Sequence, residues 1–260
     1  MGFRGAIFDV DGVLVESPHE RAWRETLEFL MLGAWSDIRD RTSWSPNAVT
    51  NDVYRNLISG KPRMDGARAA LQLFGVPDVD LRAERYAELK QEEIVDLIAQ
   101  GEFTAFPDAL RFVLDVREMG MSLAAASSSK NANMFLERID MAEFCRSEGR
   151  DHSFVRDGTT LLELFDGNVC GWDFPQGKPH PEIFLTAAEQ IGVPAKDSFV
   201  VEDAVSGIQA AKSGAIVGLG VARLDDEAEL RDAGGDLVVT SLDDVDRPGL
   251  ARGVMARRSS

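Results

Sequence analysis

The hydrophobic pattern of this chain alternates between short, continuous apolar runs and longer segments with helical periodicity. The apolar runs have the length of strands, and continuous apolar strands are typical of sheets that are buried on both faces. Helical segments separate most of the runs, which favours a parallel sheet with helices on both faces. The predicted strands occupy residues 5–8, 121–126, 199–201, 215–221 and 237–239. We therefore expect an α/β fold with a Rossmann-like core.

Residues 19–98 carry a different pattern, with no convincing strand and several helix-period segments. Apolar side chains recur on one side of the segments 19–32, 47–58 and 66–74. This pattern predicts a small helical bundle inserted after the first strand. Such an insertion on two short tethers is suited to act as a lid that excludes water during a reaction. The expected division is a core of 1–18 and 99–246, a helical cap domain of 19–98 and a C-terminal tail of 247–260.

Two carboxylates stand at the end of the first predicted strand. The apolar run is followed by Asp-Val-Asp-Gly, in which Asp11 and Gly12 form the turn that ends the strand. Asp9 and Asp11 are two residues apart, so they would point the same way if strand geometry continued. Carboxylates this close repel each other unless a cation lies between them. Mg²⁺ is the simplest candidate, because it takes few protein oxygens and leaves positions for phosphate.

Three further segments place polar groups where predicted strands end or helices begin. These groups are Ser127, Ser128, Lys178, Glu202 and Asp203. Hydroxyl and amide groups at a helix start are suited to an anion, and the lysine stands in a loop fixed by two prolines. Each group also has an ordinary structural explanation, as a helix cap, a solvated lysine or a helix-start acid. Their joint occurrence favours a site beyond the carboxyl ends of the strands.

Taken together, these motifs resemble the haloacid dehalogenase superfamily of phosphohydrolases and phosphomutases, from Phe3 to about Val245. Within the superfamily, the chain looks most like the β-phosphoglucomutase group. Three stretches carry this narrower match: His19-Glu20-Arg21-Ala22-Trp23, Gly60-Lys61-Pro62-Arg63-Met64-Asp65-Gly66 and Ser127 through Asn131. The resemblance implies that the inserted helices form a cap that closes over the active site and carries substrate specificity.

The resemblance also implies a role for each core residue. Asp9 would be the nucleophile that forms an aspartyl-phosphate, and Asp11 would be the general acid and base. Mg²⁺ would be held by Asp9, the main-chain carbonyl of Asp11 and Asp203, with Glu202 as an auxiliary ligand. The phosphoryl oxygens would be bound by Ser127, Ser128 and Lys178.

A second phosphate site in the cap would distinguish a mutase from a phosphatase. A mutase must hold a bisphosphate with either phosphate toward Asp9, so its cap needs cationic groups. Arg63 stands where the resembled mutases carry their cap arginine, and an arginine binds phosphate bidentately. We expect Arg63 in a loop between Gly60 and Gly66.

Two more cap residues are candidates for contact with the substrate. Lys90 stands where the resembled mutases carry a cap lysine, and His19 opens the first helical segment. Lys90 is equally compatible with an exposed helical lysine that pairs with Glu92 or Glu93. His19 is also compatible with a surface position on its helix.

Several functions remain open at this point. The leading interpretation is a Mg²⁺-dependent phosphosugar mutase of the β-phosphoglucomutase type that acts on a small sugar phosphate. A sugar-phosphate phosphatase would have the same core and a cap that does not support reorientation of the substrate. A dehalogenase is disfavoured, because its chemistry needs neither Asp11 nor the Glu202–Asp203 pair. A non-catalytic binding protein is disfavoured by the intact acids.

Composition narrows the possible partners and the compartment. The chain has 260 residues with 28 basic and 44 acidic side chains, a net charge of −16, and no basic block. Nucleic acid and anionic membranes are therefore poor partners. We see no leading signal segment and no run of membrane-spanning length, and Cys145 and Cys170 are consistent with free thiols. We expect a cytoplasmic enzyme, a monomer or homodimer, in which the polar segment 144–176 is a rim loop, a dimer contact or a surface insertion.

Overall fold

The computed structural model describes residues 2–59 and 61–258, and its central feature is a six-stranded sheet. The strands of the described residues are β1 (Gly5–Phe8), β2 (Val15–Glu16), β3 (Thr104–Ala105), β4 (Ser122–Ala125), β5 (Gly167–Asn168), β6 (Ser198–Glu202), β7 (Val217–Val221) and β8 (Leu237–Val239). The six-stranded sheet has the order β5-β4-β1-β6-β7-β8, and each neighbouring pair is parallel. The predicted Rossmann-like α/β core is confirmed, and each predicted apolar run contains a strand.

The edge strand β5 was not predicted. It has two residues, a glycine and an asparagine, so it lacks the apolar run that marks the other strands. β5 lies within the polar segment 144–176, which therefore supplies the edge of the sheet next to β4. The same segment also contains the end of a helix and a 3₁₀ turn at Leu162–Leu164.

Residues Ser17–Phe103 form a compact helical unit. Its α-helices in the described residues are α1 (His19–Leu32), α2 (Asn51–Val53, continued by a π-helical turn at Tyr54–Ile58), α3 (Arg63–Leu73) and α4 (Val79–Ala99). The predicted helical segment 47–58 is helical only from residue 51, because the Thr50 hydroxyl accepts from the Val53 amide and caps the start of α2 there. The apolar stripes meet in one core, where the rings of Trp23 and Tyr86 lie 5.0 Å apart.

Helices cover both faces of the large sheet. The remaining α-helices of the described residues are α5 (Pro107–Glu118), α6 (Ala132–Arg138), α7 (Met141–Glu148), α8 (Glu182–Gln190), α9 (Val205–Ser213), α10 (Glu227–Asp232) and α11 (Arg247–Ala251). Ile7 packs in one apolar cluster with Phe184 of α8, whereas Phe8 packs edge-on against Phe112 of α5. Adjacent strand residues point to opposite faces, so α5 and α8 lie on opposite sides of the sheet.

The second compact unit comprises Met1–Glu16 together with Thr104–Ser260. The strands β2 and β3, which stand where the chain leaves and re-enters this unit, form a separate antiparallel pair. Residues expected in a C-terminal tail include α11, whose Leu250 is buried and accepts a hydrogen bond from the Phe3 amide at 3.1 Å. Within the described residues, no helix has both the length and the apolar character needed to cross a membrane.

Candidate active site

The three central strands of the sheet end at the same level. Phe8, the last residue of β1, lies opposite Ala125 of β4 on one side and Val201 of β6 on the other. The amide of Asp9 extends this ladder by donating to the Val201 carbonyl at 3.1 Å. The polar residues that follow the three strands therefore emerge at one edge of the sheet: Asp9, Ser127 and Glu202.

Lys178 links two of the predicted acids. Its ammonium nitrogen Nζ lies 2.7 Å from Asp9 Oδ1 and 2.5 Å from Glu202 Oε1. All three side chains are largely buried, with exposed fractions of 11% for Lys178, 9% for Asp9 and 1% for Glu202. Such a charge-assisted bridge fixes the orientation of the Asp9 carboxylate.

Two glycines leave room for the carboxylates of Glu202 and Asp203. A Cβ atom on Gly207 of α9 would lie 1.8 Å from Glu202 Oε1, and one on Gly12 would lie 1.9 Å from Asp203 Oδ2. Gly12 also has a φ of +82°, which favours glycine. The carboxylate of Asp203 therefore lies directly against the loop that follows Asp11.

The crowding of these carboxylates changes their protonation. Burial raises the pKa of Asp9 to about 7; Lys178 opposes this shift, and the charges of Glu202 and Asp11 add to it. Burial and the charges of Glu202 and Asp9 raise the pKa of Asp203 well above its usual range. Burial alone would lower the pKa of Lys178, but Asp9 and Glu202 hold it above its usual value. The single positive charge of Lys178 therefore does not neutralise these carboxylates.

These residues fit a magnesium ion. In the described part of the chain, no three His, Cys, Asp or Glu side chains are arranged to hold a metal by themselves. Magnesium sites commonly use only one or two carboxylates, with water and phosphate as the other ligands. The raised pKa values of Asp9 and Asp203 show that the pair would be stabilised by a further cation. Asp9, Asp203 and the main-chain carbonyl of Asp11 provide oxygen donors of the type that magnesium prefers.

The structure separates the two predicted serines and adds a cysteine to the site. Ser127 is buried, and its hydroxyl accepts from the Ser129 amide at 3.2 Å, whereas Ser128 is exposed. Cys170, treated above only as an ordinary thiol, contacts Ser127 and lies close enough to Asp9 and Lys178 to sense their charges. Burial raises the pKa of Cys170 to about 12, so the thiol stays protonated at neutral pH. No spacing in the sequence marks this position.

In the helical unit, the structure brings His19 and Lys90 together. Lys90 Nζ donates to His19 Nδ1 at 2.8 Å and lies 5.1 Å from the centre of the Trp23 ring. The alternative of an exposed Lys90 is wrong, because this residue is only 4% exposed. Burial and the adjacent ammonium hold the pKa of His19 well below its usual range, so the imidazole is neutral and accepts the hydrogen bond.

Arg63 does not lie in a loop as predicted. It is the first residue of α3, because the ring of Pro62 fixes the backbone where the helix begins. The exposed Arg63 side chain donates to Gln91 Oε1 at 2.6 Å, which places it beside the stretch of α4 that carries Lys90. Gly60, at the start of the predicted loop, lies outside the described residues.

Comparison with known proteins agrees with this geometry. The profile of the haloacid dehalogenase-like hydrolases matches residues 3–214 of this chain. The β-phosphoglucomutase of Mycobacterium bovis is 30% identical over 256 residues, which cover 92% of this chain and 90% of that protein. The phosphorylated carbohydrates phosphatase of Thermotoga maritima is 27% identical over 211 residues, with 81% of each chain covered. The crystal structure of an archaeal β-phosphoglucomutase from a Pyrococcus strain has a TM-score of 0.68 and 29% identity, covering 95% of this chain and 96% of that one.

The chain therefore belongs to the haloacid dehalogenase-like hydrolase family. Within that family it is a member of the β-phosphoglucomutase-like group, and it is an enzyme of the phosphotransferase or phosphatase type.

Proposed function

We propose that this enzyme transfers a phosphoryl group through an aspartyl-phosphate on Asp9, in a reaction that depends on Mg²⁺. The substrate would be a small sugar phosphate, and the leading activity is that of a phosphosugar mutase. The observation that carries the proposal is the bridge from Lys178 to Asp9 and Glu202 among buried acids. The names of the mycobacterial and Thermotoga relatives support a phosphorylated sugar as the substrate class.

Each core residue would perform one part of the reaction. Asp9, oriented by Lys178, would attack phosphorus, and Lys178 would offset the charge that develops on the phosphoryl oxygens. Asp11 would protonate the leaving oxygen and later take the proton from the attacking hydroxyl. Mg²⁺, held by Asp9, Asp203 and the Asp11 carbonyl, would supply further neutralisation of the phosphoryl charge. The buried hydroxyl of Ser127 would bind a phosphoryl oxygen, with Ser128 as a second candidate.

The helical unit supports the mutase over simple hydrolysis. A mutase must bind the phosphate that is remote from Asp9, and we assign this task to Arg63, Lys90 and His19. A buried ammonium beside a neutral imidazole is suited to an anionic ligand. A sugar-phosphate phosphatase with the same core is the second candidate, and the name of the Thermotoga relative favours it.

A panel of sugar phosphates would distinguish the two activities. The enzyme is incubated with Mg²⁺ and hexose or pentose phosphates, and both free phosphate and isomerised sugar phosphate are measured. A mutase yields isomerised product with little free phosphate, whereas a phosphatase yields free phosphate. Chelation of Mg²⁺ is expected to stop either reaction.

Asp9→Asn tests the covalent step in the same assay. The substitution removes the nucleophile, so we expect turnover to fall by more than about 10³-fold while the protein remains folded. Asp197→Asn is the matched control, because Asp197 pairs with the exposed Arg4 and lies outside the acidic group. Turnover by Asp9→Asn at the wild-type rate would exclude an aspartyl-phosphate on this residue.

A further inference from the structure

Arg223 follows β7 and joins separate segments of the α/β unit. Its guanidinium holds Asp108 bidentately, with Nη1 2.9 Å from Oδ2 and Nη2 3.1 Å from Oδ1. It also donates to the main-chain carbonyls of Gly12 at 3.4 Å and Val13 at 3.3 Å. The ring of Phe106 lies 4.0 Å from Cζ, on the face of the guanidinium. Only 14% of the side chain is exposed, so these contacts define one orientation.

Asp108, the carboxylate that pairs with Arg223, is itself held by two further hydrogen bonds. Its Oδ2 atom also accepts from the Leu242 amide at 2.8 Å and the Ser241 hydroxyl at 3.2 Å. Burial alone would raise the pKa of Asp108, but the bonds from Arg223 and Leu242 hold it below the usual value. The carboxylate is therefore ionised at neutral pH and ties the first turn of α5 to the turn after β8.

The carbonyls that Arg223 binds belong to the residues directly after Asp11. Gly12 also lies against the Asp203 carboxylate, so movement of this loop would displace both acids. Displacement of a reacting group by about 1 Å can lower a rate by about 10²-fold. We propose that Arg223 is a positioning residue for the phosphoryl transfer, which holds the loop so that Asp11 faces the leaving oxygen. This inference rests on the proposed role of Asp11.

Leaving-group dependence gives a test that separates positioning from stability. A sugar alkoxide is a poor leaving group and needs a proton from Asp11, whereas 4-nitrophenolate leaves without one. For Arg223→Met, we expect kcat/KM, which reports the steps up to release of the first product, to fall about 10- to 100-fold with the sugar phosphate that the wild type turns over fastest. With 4-nitrophenyl phosphate, the decrease in kcat/KM is expected to stay within about 3-fold, since 4-nitrophenolate leaves without a proton and the later breakdown of the aspartyl-phosphate does not enter kcat/KM.

Arg111→Met is the matched control. Arg111 lies on α5 and also holds an aspartate bidentately, Asp243, at 3.1 and 2.6 Å, but its contacts lie away from the loop. We expect this variant to lose thermal stability without changing the ratio of the two kcat/KM values. The variant Arg223→Lys keeps the charge and stem but not the planar fork, so its kcat/KM ratio is expected to lie between those of the wild type and Arg223→Met.

The rates with the two substrates decide between a positioning role and a purely structural role for Arg223. A selective loss on the sugar phosphate, seen for both Arg223 variants and absent for Arg111→Met, supports the positioning role. Equal losses on both substrates, or none, would overturn it and leave Arg223 as a structural ion pair. If Arg223→Met does not fold, the kcat/KM ratio of Arg223→Lys alone decides. The proposed function fails separately, if Asp11→Asn turns over sugar phosphates as the wild type does.

Discussion

The two units of this enzyme bury different kinds of ionisable side chain. In the α/β unit, Asp9 and Asp203 have raised pKa values because they lie among other carboxylates with Lys178 as their nearby ammonium. In the helical unit, an ammonium is buried against a neutral imidazole and an indole ring. The face of an indole ring attracts a cation and a neutral imidazole accepts its hydrogen bond, so both groups hold the Lys90 ammonium inside the helical unit. The crowded carboxylates of the α/β unit favour a bound cation.

This contrast divides the proposed work between the units. In the α/β unit, Asp9 and Lys178 would act on the phosphoryl group that every substrate carries. The proposed cap residues would contact only substrates with a second anionic part. A substitution of Asp9 or Lys178 is therefore expected to affect all substrates alike, and one of the cap residues to affect them selectively.

After Asp9→Asn, the largest effect is expected for Lys178→Ala. The substitution removes the cation that orients Asp9, so turnover should fall about 10²- to 10³-fold with both a sugar phosphate and 4-nitrophenyl phosphate. Lys212→Ala is the control, since Lys212 also pairs with a carboxylate, Asp236, on the surface of the same unit. A loss confined to the sugar phosphate would contradict the assignment of Lys178 to the phosphoryl group.

An intermediate, selective effect is expected for Arg63→Ala. A charge-assisted hydrogen bond contributes about 1.5–3 kcal/mol, so kcat/KM for a mutase substrate should fall by roughly one to two decades. Hydrolysis of 4-nitrophenyl phosphate should change much less, because that substrate has no second phosphate.

Arg68→Ala is the matched control for this variant. Arg68 lies on the same helix and is also exposed, but it pairs with Asp65 and Asp80. If Arg63→Ala changes the rates with both substrates equally, or changes neither, the cap has no second phosphate site at Arg63. The phosphatase would then be favoured over the mutase.

The sequence was most informative where a local pattern determines the structure. β1 and β6 are continuous apolar runs that end in acids, so both the strands and the edge at which Asp9 and Glu202 emerge followed from the pattern. The helix α1 also followed, with the bounds that its periodicity indicates. For the helical segment 47–58 only the predicted start was wrong, because apolar periodicity does not register the cap at Thr50.

Features that depend on contacts between distant segments could not be predicted in this way. Arg223 reaches Gly12 across 211 positions, and nothing in its neighbourhood marks it as part of the site. Lys90 is charged and surrounded by acidic residues in the sequence, which indicates exposure, yet packing against Trp23 buries it. Residue type and spacing were enough to predict the chemistry of the candidate site. The burial and orientation of its side chains could be seen only in the folded chain.

The smallest effect is a difference in thermal stability that depends on pH and Mg²⁺. Burial raises the pKa of Asp9 to about 7, above its value in an unfolded chain. Its contribution to stability is therefore complete below the unfolded pKa and is lost as pH rises through about 7, and Asp203 acts in the same direction. Mg²⁺ would bind the ionised carboxylates, so it should restore more stability at alkaline than at acidic pH.

The measurement compares melting temperatures in Mg²⁺ and in EDTA at about pH 5.5 and about pH 8. A change of 1 kcal/mol moves Tm by about 2–4 °C in a protein of this size, so the Mg²⁺ shift should be a few degrees larger at the higher pH. Asp203→Asn should abolish this difference, because it removes one of the proposed ligands, whereas Asp197→Asn should retain it. A Mg²⁺ shift that is the same at both pH values would contradict the pairing of these acids with a metal, and would weaken the contrast between the two units.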